Sequence, residues 1–332
     1  MPVNPIVLMY AYIKGIAPSA KYIPITLTNS QSSITPTPFQ QLININPTSI
    51  GSSYFSSDLG NIRFYADLAF TQPLYAWVES GNSNTSTSTN IWVNLPNGIP
   101  ANSSITIYMK LLPIGTEYDG VYMGEAPQLS PTYGQYDNGA SVFNNYWNFA
   151  GTVLPSGWSG SGYTVNNGLT ITCPSGNANY LSSPLSLGMN SNLIWSAYFY
   201  NLPSFSSGNY EIGFGPKQTS SPWYFAGLGS YTSTTGLGSL YFIGTAYENY
   251  TTTWNSNGVY SALWQNNYIY TAFNEGTFTN QLSASTAFSA NLTIMGFDHA
   301  SSGSFNFSVS YVYTRTYPPN GVMPTVSVGS FA

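Results

Sequence analysis

Carboxylates are the side chains of this sequence best suited to acid–base chemistry, and they are scarce. The 332 residues include eleven Asp or Glu, six Lys or Arg and one His, so charged residues make up 5% of the chain. An ordinary soluble domain has roughly 25%. A retaining glycosidase needs two carboxyl groups about 5 Å apart. The run Glu117-Tyr118-Asp119 is followed next by Glu125, and the acids beyond residue 138 are far apart in the sequence: Glu211, Glu248, Glu275 and Asp298. We therefore predict no catalytic residues and no enzyme activity.

The other reactive side chains also argue against a catalytic or metal site. His299 follows Asp298, and adjacent residues of a strand point to opposite faces. Asp298 is therefore badly placed to orient His299 as a Ser-His-Asp triad requires. One His with one Cys, Cys173, cannot complete a zinc site, and no Asp-rich calcium loop is present. We predict no cofactor, and the only candidate calcium ligands are Asp137 and Asp298.

The sequence pattern predicts strands throughout the chain, and these strands would position any site. Ile23, Ile25 and Leu27 alternate with less apolar residues, and this period of two is typical of a strand with one packed face. Ser, Thr, Asn, Pro and Gly clusters separate such runs, as expected of turns. The sequence predicts an all-β protein made of two antiparallel β-sandwich, jelly-roll-like domains.

The alternation weakens between about residues 118 and 142, where turn residues dominate. We predict an N-terminal arm at 1–20, a first sandwich at 21–138 and a second at 139–332. The arm is apolar, and an unpaired apolar strand is an aggregation hazard. It must therefore pair, either with its own sandwich or with a neighbouring subunit. The candidate assembly residues are Val3, Ile6, Val7, Leu8 and Tyr10.

Several segments resemble a known pairing of domains. These segments are 21–29, Asn61-Ile62-Arg63-Phe64, 74–79, 91–96 and 105–109, and their order and spacing resemble a sandwich domain of unknown function from archaeal and bacterial surface proteins. That domain is often followed by a concanavalin-A-like, laminin-G-type sandwich. Residues 136–140 with 147–149 resemble the usual junction, and residues 309–317 with 324–329 resemble the usual end. The resemblance implies two sandwiches on an exterior surface.

Aromatic side chains near turns are the candidate ligand-binding residues. Aromatics make up 16% of the chain, and flat aromatic rings beside amide groups suit sugars as well as cores and interfaces. In the second sandwich the candidate glycan-binding residues are Trp158, Trp223, Tyr224, Trp254, Trp264 and Asn266.

Composition also bears on location and partners. No Lys/Arg cluster exists, so nucleic acid is not an expected partner. No apolar run is long enough to span a membrane. A surface that is hydrated through hydroxyl and amide groups suits a location outside the cell or on a virion, where glycosylation is possible. The candidate acceptor sites are Asn84, Asn102, Asn249, Asn291 and Asn306. With so few carboxylates, we expect stability to vary little between about pH 3 and pH 7.

These observations predict a non-enzymatic structural or attachment protein of the virion surface (a spike, turret or filament) in an archaeal system. Its partners would be copies of itself, other virion or surface proteins, and cell-surface glycans. Two alternatives remain: a cell-surface adhesin or lectin, and an accessory domain of a glycan-processing enzyme.

Overall fold

The computed structural model describes residues 21–205, 210–231, 234–298 and 304–332, except for the side chains of 250–252. The described residues form antiparallel sheets with few helical turns, which confirms the all-β prediction. They divide into two compact units. Unit 1 contains the described residues up to Glu125 together with Pro318–Ala332, and unit 2 is Ala126–Tyr317.

Unit 1 has two sheets. Its strands are Tyr22–Asn29 (β1), Phe39–Ile45 (β2), Ile62–Tyr65 (β3), Pro73–Leu74 (β4), Ala76–Ser80 (β5), Thr89–Leu95 (β6), Ser103–Leu111 (β7), Met123–Glu125 (β8) and, as the last strand of the chain, Thr325–Val328 (β24). The sheet orders are β24-β1-β7-β3-β4 and β2-β6-β5-β8. β5 and β8 pair in parallel. Ile23, Ile25 and Leu27 of β1 are buried, as their alternation predicts.

Unit 2 is a larger sandwich. Its strands are Asn145–Trp147 (β9), Ser159–Gly160 (β10), Tyr163–Val165 (β11), Leu169–Cys173 (β12), Ala178–Gly188 (β13), Leu193–Tyr200 (β14), Tyr210–Gln218 (β15), Tyr224–Ser230 (β16), Leu237–Ile243 (β17), Ala246–Trp254 (β18), Gly258–Gln265 (β19), Tyr268–Phe273 (β20), Asn280–Ser283 (β21), Ser289–Asp298 (β22) and Phe305–Thr316 (β23). A seven-stranded sheet has the order β10-β13-β22-β15-β16-β17-β18. An eight-stranded sheet has the order β11-β12-β23-β14-β19-β20-β21, and β9 pairs with β23. Side chains such as Trp195, Phe214 and Phe307 fill the core between these sheets.

Short helical segments complete the described residues. The α-helices are Pro47–Ile50 (α1) and Gly139–Val142 (α2), and Ser52–Tyr54 and Pro319–Gly321 form single 3₁₀ turns. The Asn46 side chain caps α1 by accepting a hydrogen bond from Ser49 N at 2.8 Å. No helix of the described ranges has the length and apolar character required to cross a membrane.

The structure divides the chain differently from the sequence-based boundary near residue 138. β24 pairs with β1, with Val328 opposite Ile25 and Thr325 opposite Thr28. Residues 318–332 therefore belong to unit 1, and residues 126–138 belong to unit 2. The reason is that the alternation of residues in a short segment predicts a strand but does not predict which other strand it pairs with.

Some sequence-based candidates lie outside the described residues. They are His299 and the arm residues Val3, Ile6, Val7, Leu8 and Tyr10. Pairing of the arm, whether with its own sandwich or with a neighbouring subunit, stays a prediction.

Asp119 organises the turn before β8 in unit 1. Its Oδ1 accepts hydrogen bonds from the backbone N–H groups of Val121, Tyr122 and Met123, each at 2.9 Å. Its Oδ2 pairs with Arg63 Nε at 2.9 Å. Burial raises the pKa of this carboxyl, but the backbone donors and the Arg63 guanidinium outweigh burial and hold the pKa below its ordinary value.

Replacing Asp119 by alanine is expected to lower the free energy of unfolding of unit 1 by about 1 to 3 kcal/mol, because Arg63 and three backbone donors lose their acceptor. The intact carboxyl stabilises the fold above its ordinary pKa of 3.8 and stops doing so as the pH falls through the lower folded-state pKa. Stability should therefore stay level from pH 7 to about pH 4 and drop below that. Urea unfolding at a series of pH values measures this. An Asp119→Ala variant as stable as wild type at neutral pH would contradict the role given to Asp119.

Candidate functional site

The outer face of the seven-stranded sheet of unit 2 carries a cleft of about 270 Å³. Strand alternation creates it: Ile212 and Phe214 of β15 point into the core, so Glu211 before them and Gly213 between them face outward. We call it the aromatic cleft. It is lined by Ala178, Tyr180, Glu211, Lys217, Trp223, Phe225, Tyr231, Phe242, Met295, Gly296 and Phe297.

The floor of the aromatic cleft is a small apolar cluster separate from the main core. Phe225, Leu240 and Met295 are each at most 3% exposed and pack together on this face. Gly213 makes room for them, since a Cβ there would lie 2.5 Å from Met295 Cε and 3.1 Å from Phe225 Cζ. The absence of a side chain at Gly213 therefore lets two large side chains lie flat across β15.

The rim of the aromatic cleft combines open aromatic rings with charge. Trp223 is 42% exposed, and the Lys217 ammonium lies 5.1 Å from the ring centroids of both Trp223 and Tyr180. Such cation–π contacts hold a lysine head group in place. Burial lowers the pKa of Lys217, while the Glu211 carboxylate acts in the opposite direction. The cleft thus presents aromatic faces, a cation and a carboxylate within one concave surface.

A second carboxylate reaches the same region through Tyr231. Glu248 Oε1 of β18 accepts a hydrogen bond from Tyr231 N at 2.9 Å, and Tyr231 lines the cleft together with Glu211. Two acids from different strands are therefore associated with one concave surface.

The structure places one of the six candidate glycan-binding residues in the aromatic cleft, namely Trp223. Trp158 and Trp264 are buried in the core, where Trp264 Nε1 donates to Ala284 O at 3.0 Å. Neither ring can stack on an external ligand, so these two candidates are corrected to core residues. Sequence position near a turn does not distinguish a rim tryptophan from a core tryptophan.

The remaining three glycan candidates lie away from the cleft's lining. Tyr224 packs against Phe288, with ring centroids 5.5 Å apart. Trp254 is partly buried against the core and stacks on Phe273 at 6.0 Å. Asn266 lies in an exposed turn with a φ of 50°, a left-handed conformation that asparagine tolerates.

The calcium candidates do not fit a metal site. Asp137 Oδ2 accepts from Tyr146 OH and Asn148 Nδ2, each at 2.7 Å, and Oδ1 accepts from Gly139 N at 3.0 Å. These donors occupy the positions that a cation would need. Asp298 is fully buried, and burial together with this carboxylate raises the pKa of Cys173 to about 12. Within the described ranges no three acidic, His or Cys side chains are grouped as metal ligands would be.

The candidate glycosylation sites occupy varied settings. Asn102, Asn291 and Asn306 are exposed, the last two within β22 and β23. Asn84 is half-buried in a loop, and the Asn249 side chain donates to Gln281 O at 2.8 Å. Glycosylation at any of them stays a prediction.

Sequence reasoning missed most of the aromatic cleft. It named Glu211 and Glu248 as acids without placing them at a site, and it did not single out Tyr180, Lys217 or Phe242. A usable signal was present, because Tyr180 and Phe242 occupy the outward positions of strands whose inward positions are already apolar.

Comparison with known proteins gives one sequence relative and a group of structural neighbours, and no family model matches the chain. The chain is 47% identical over 161 residues to uncharacterized protein 562 of Sulfolobus islandicus rod-shaped virus 1. The match covers 48% of this chain and 27% of that protein, so the chain spans about a quarter of the relative's length.

The structural neighbours include glycoside hydrolases. A β-glucanase of Bacillus licheniformis is 12% identical with a TM-score of 0.41, and the match covers 52% of this chain and 97% of that one. A lichenase from a mouse hindgut metagenome is 11% identical with a TM-score of 0.41 over 52% and 98%. A family 16 glycosyl hydrolase of Mycobacterium smegmatis is 10% identical with a TM-score of 0.39 over 52% and 99%. The similarity concerns the β-sandwich jelly roll alone, and the predicted laminin-G pairing is not confirmed.

These neighbours contradict the prediction that the chain is not an enzyme, because each of the three is a glycoside hydrolase. A count of acids over the whole chain is the wrong measure, since a glycosidase needs only two carboxylates at one site. Glu211 and Glu248 both lie at or beside the lining of the aromatic cleft. At this similarity no particular reaction carries over to this chain.

Proposed function

We propose that this chain is a virus-encoded protein of the virion exterior and that unit 2 binds a saccharide in the aromatic cleft. The observation that carries the binding proposal is the Lys217 ammonium placed 5.1 Å from the ring centroids of both Trp223 and Tyr180, two rings whose centroids are 6.1 Å apart. The viral part is supported by the 47% identity to a rod-shaped virus protein over about half of the chain.

The chemistry of the cleft suits a sugar. Carbohydrate rings have apolar C–H faces and polar edges, so they pack on aromatic rings while their hydroxyls take hydrogen bonds. Trp223 and Tyr180 supply the faces, and Glu211 and Lys217 supply an acceptor and a donor. Ligand sites in general combine mostly apolar walls with a few convergent polar groups.

The exterior assignment follows from composition. With 5% charged residues, the surface is kept wet by hydroxyls and amides, and a virion protein becomes exterior without secretion. Its partners would then be other virion subunits and glycans of the host surface.

Replacing Trp223 by alanine is expected to weaken saccharide binding about 10-fold to 100-fold, because an open aromatic face contributes about 1 to 3 kcal/mol of stacking and burial. Screening the full chain on a glycan array identifies the ligand, and calorimetric titration of the variant with that ligand measures the loss. Tyr268→Ala is the matched control, since Tyr268 is similarly exposed, at 38%, and belongs to the eight-stranded sheet. Equal affinities for wild type and Trp223→Ala would place the saccharide elsewhere.

A second candidate function is cleavage of the bound saccharide in the same cleft. It is favoured by Glu211 in the lining and by Glu248, whose Oε1 accepts a hydrogen bond from the N–H of the lining residue Tyr231. A general acid and a second carboxylate are what glycoside hydrolysis requires. Release of new reducing ends from the array ligand, abolished in Glu211→Gln with binding retained, would establish cleavage. Unchanged ligand after prolonged incubation leaves binding as the function.

A further inference from the structure

Unit 2 has another cleft, of about 440 Å³, on the outer face of its eight-stranded sheet. We call it the tyrosine cleft after Tyr133, Tyr198 and Tyr200, which line it. The two clefts lie on opposite sheets of one sandwich, and stacked sheets are about 10 Å apart. No ligand of ordinary size can therefore occupy both.

The floor of the tyrosine cleft is made by Tyr198 and Tyr200 of β14. Ala197 precedes Tyr198, and Phe199 lies between the two tyrosines. Both are fully buried in the core, so the two tyrosines face outward together. Their ring centroids are 6.3 Å apart with a tilt of 40°. Burial raises the pKa of both hydroxyls, so they stay protonated and can donate as well as accept.

One wall of the tyrosine cleft is fixed in place by hydrogen bonds. Tyr133 OH lies 2.7 Å from the carbonyl oxygens of both Asn148 and Ser310. The Ser310 hydroxyl donates to Gln128 Oε1 at 2.9 Å. The segment that carries Gln128 and Tyr133 is thereby fastened to β23, and a wall already held in place does not have to be ordered when a ligand binds.

Asn167 and Asn257 add amide donors to the lining of the tyrosine cleft. Asn167 Oδ1 accepts from Gly151 N at 3.0 Å, and Asn257 Oδ1 accepts from Asn201 N at 3.2 Å. These bonds orient both amides by their oxygens. Among the described residues no acceptor binds the NH₂ group of Asn167 or of Asn257. Both residues are exposed, so their NH₂ groups are available to a ligand.

The tyrosine cleft differs from the aromatic cleft in having no charged residue in its lining. The residues that line the tyrosine cleft are tyrosines, amides, serines and prolines, and none is Asp, Glu, Lys, Arg or His. An ionic ligand would lose hydration there without gaining a counter-ion. A neutral ligand with many hydroxyls would instead find phenol, amide and serine partners above two aromatic faces.

We infer that the tyrosine cleft is a second binding site, specific for a neutral saccharide and independent of the aromatic cleft. One unit 2 would then hold glycans on both of its faces. Two sites on one body raise the avidity for a surface that presents several glycans, or link two such surfaces.

The test uses the full chain carrying Trp223→Ala, so that the aromatic cleft contributes little binding. The probes are cellohexaose and mannohexaose as neutral saccharides and hexagalacturonate as the anionic one, titrated by calorimetry. We expect a neutral hexasaccharide to bind in this background. Adding Tyr198→Phe with Tyr200→Phe should weaken its binding about 10-fold to 100-fold, since two hydroxyl hydrogen bonds are lost.

The matched control is Tyr268→Phe with Tyr270→Phe. This pair has the same spacing along β20, with ring centroids 6.2 Å apart, but it lies outside the tyrosine cleft. It should leave binding unchanged. Four results would each overturn the inference: no binding of either neutral probe, preferential binding of hexagalacturonate, equal losses in the two tyrosine pairs, or no loss in Tyr198→Phe with Tyr200→Phe. Circular dichroism and melting temperature show that each variant is folded, because Tyr→Phe keeps the ring and its packing.

Discussion

Replacing Glu275 by glutamine is expected to lower the free energy of unfolding of unit 2 by about 3 to 5 kcal/mol, because it leaves the Arg315 cation buried without its counter-charge. Glu275 Oε2 lies 2.8 Å from Arg315 Nη2, and the two side chains are 2% and 6% exposed. Glu275 Oε1 also accepts from Tyr313 OH at 2.7 Å and from the Ser261 hydroxyl at 3.2 Å. Urea unfolding of wild type and variant at neutral pH measures the difference.

The double variant Glu275→Gln with Arg315→Met is the control for that prediction. It removes the orphaned cation, so it should recover much of the lost stability, as replacement of buried pairs by apolar groups often does. A single variant within about 1 kcal/mol of wild type would mean that water reaches Arg315 and solvates it, contrary to its low exposure.

Deleting residues 318–332 is expected to remove the cooperative unfolding of unit 1 while unit 2 keeps its own transition. β24 pairs along β1 from Ile25 to Thr28, and Gly329 N donates to Pro24 O at 2.9 Å. Gln41 Nε2 of the other sheet donates to Pro324 O at 3.3 Å. Without these bonds β1 becomes an unprotected edge next to the core of unit 1.

Limited proteolysis and calorimetry of the shortened chain test this expectation. Rapid cleavage within 21–125, with 126–317 resistant, is the expected result. A chain that lacks only Phe331 and Ala332 is the control, since it keeps β24. It should lose the contact of Phe331 with the Tyr54 ring, at 4.3 Å between centroids, and the backbone hydrogen bonds between Ala332 and Tyr22. Unit 1 melting as in the full chain would contradict the role of β24.

The sequence was sufficient to predict the all-β class of both units, because the buried residues of a strand such as β1 alternate with less buried ones. It was not sufficient to predict partners. Thr325–Val328 has the same appearance whether it closes unit 1 or extends unit 2, and its pairing with β1 joins segments about 300 residues apart.

The sites were harder to predict for a related reason. Trp223 and Trp264 both stand in aromatic, turn-flanked segments, yet one is 42% exposed at a cleft and the other is fully buried. In a chain with so many aromatics, hydrophobicity does not distinguish a core side from a ligand side. That distinction depends on which face of the strand packs against the other sheet. At Tyr198, the neighbouring Ala197 and Phe199 pack in the core, so the tyrosine lies on the outer face.

The split of unit 1 between the two ends of the described chain has a consequence for synthesis on the ribosome. Unit 2 is one continuous segment, Ala126–Tyr317, and all of it leaves the ribosome before β24 does. One edge of β1 therefore stays unpaired while the residues of unit 2 are synthesised, which takes on the order of 10 to 40 s at ordinary elongation rates. The sheet that is translated first is therefore completed last, and β1 is open to strand exchange between nascent chains throughout that interval.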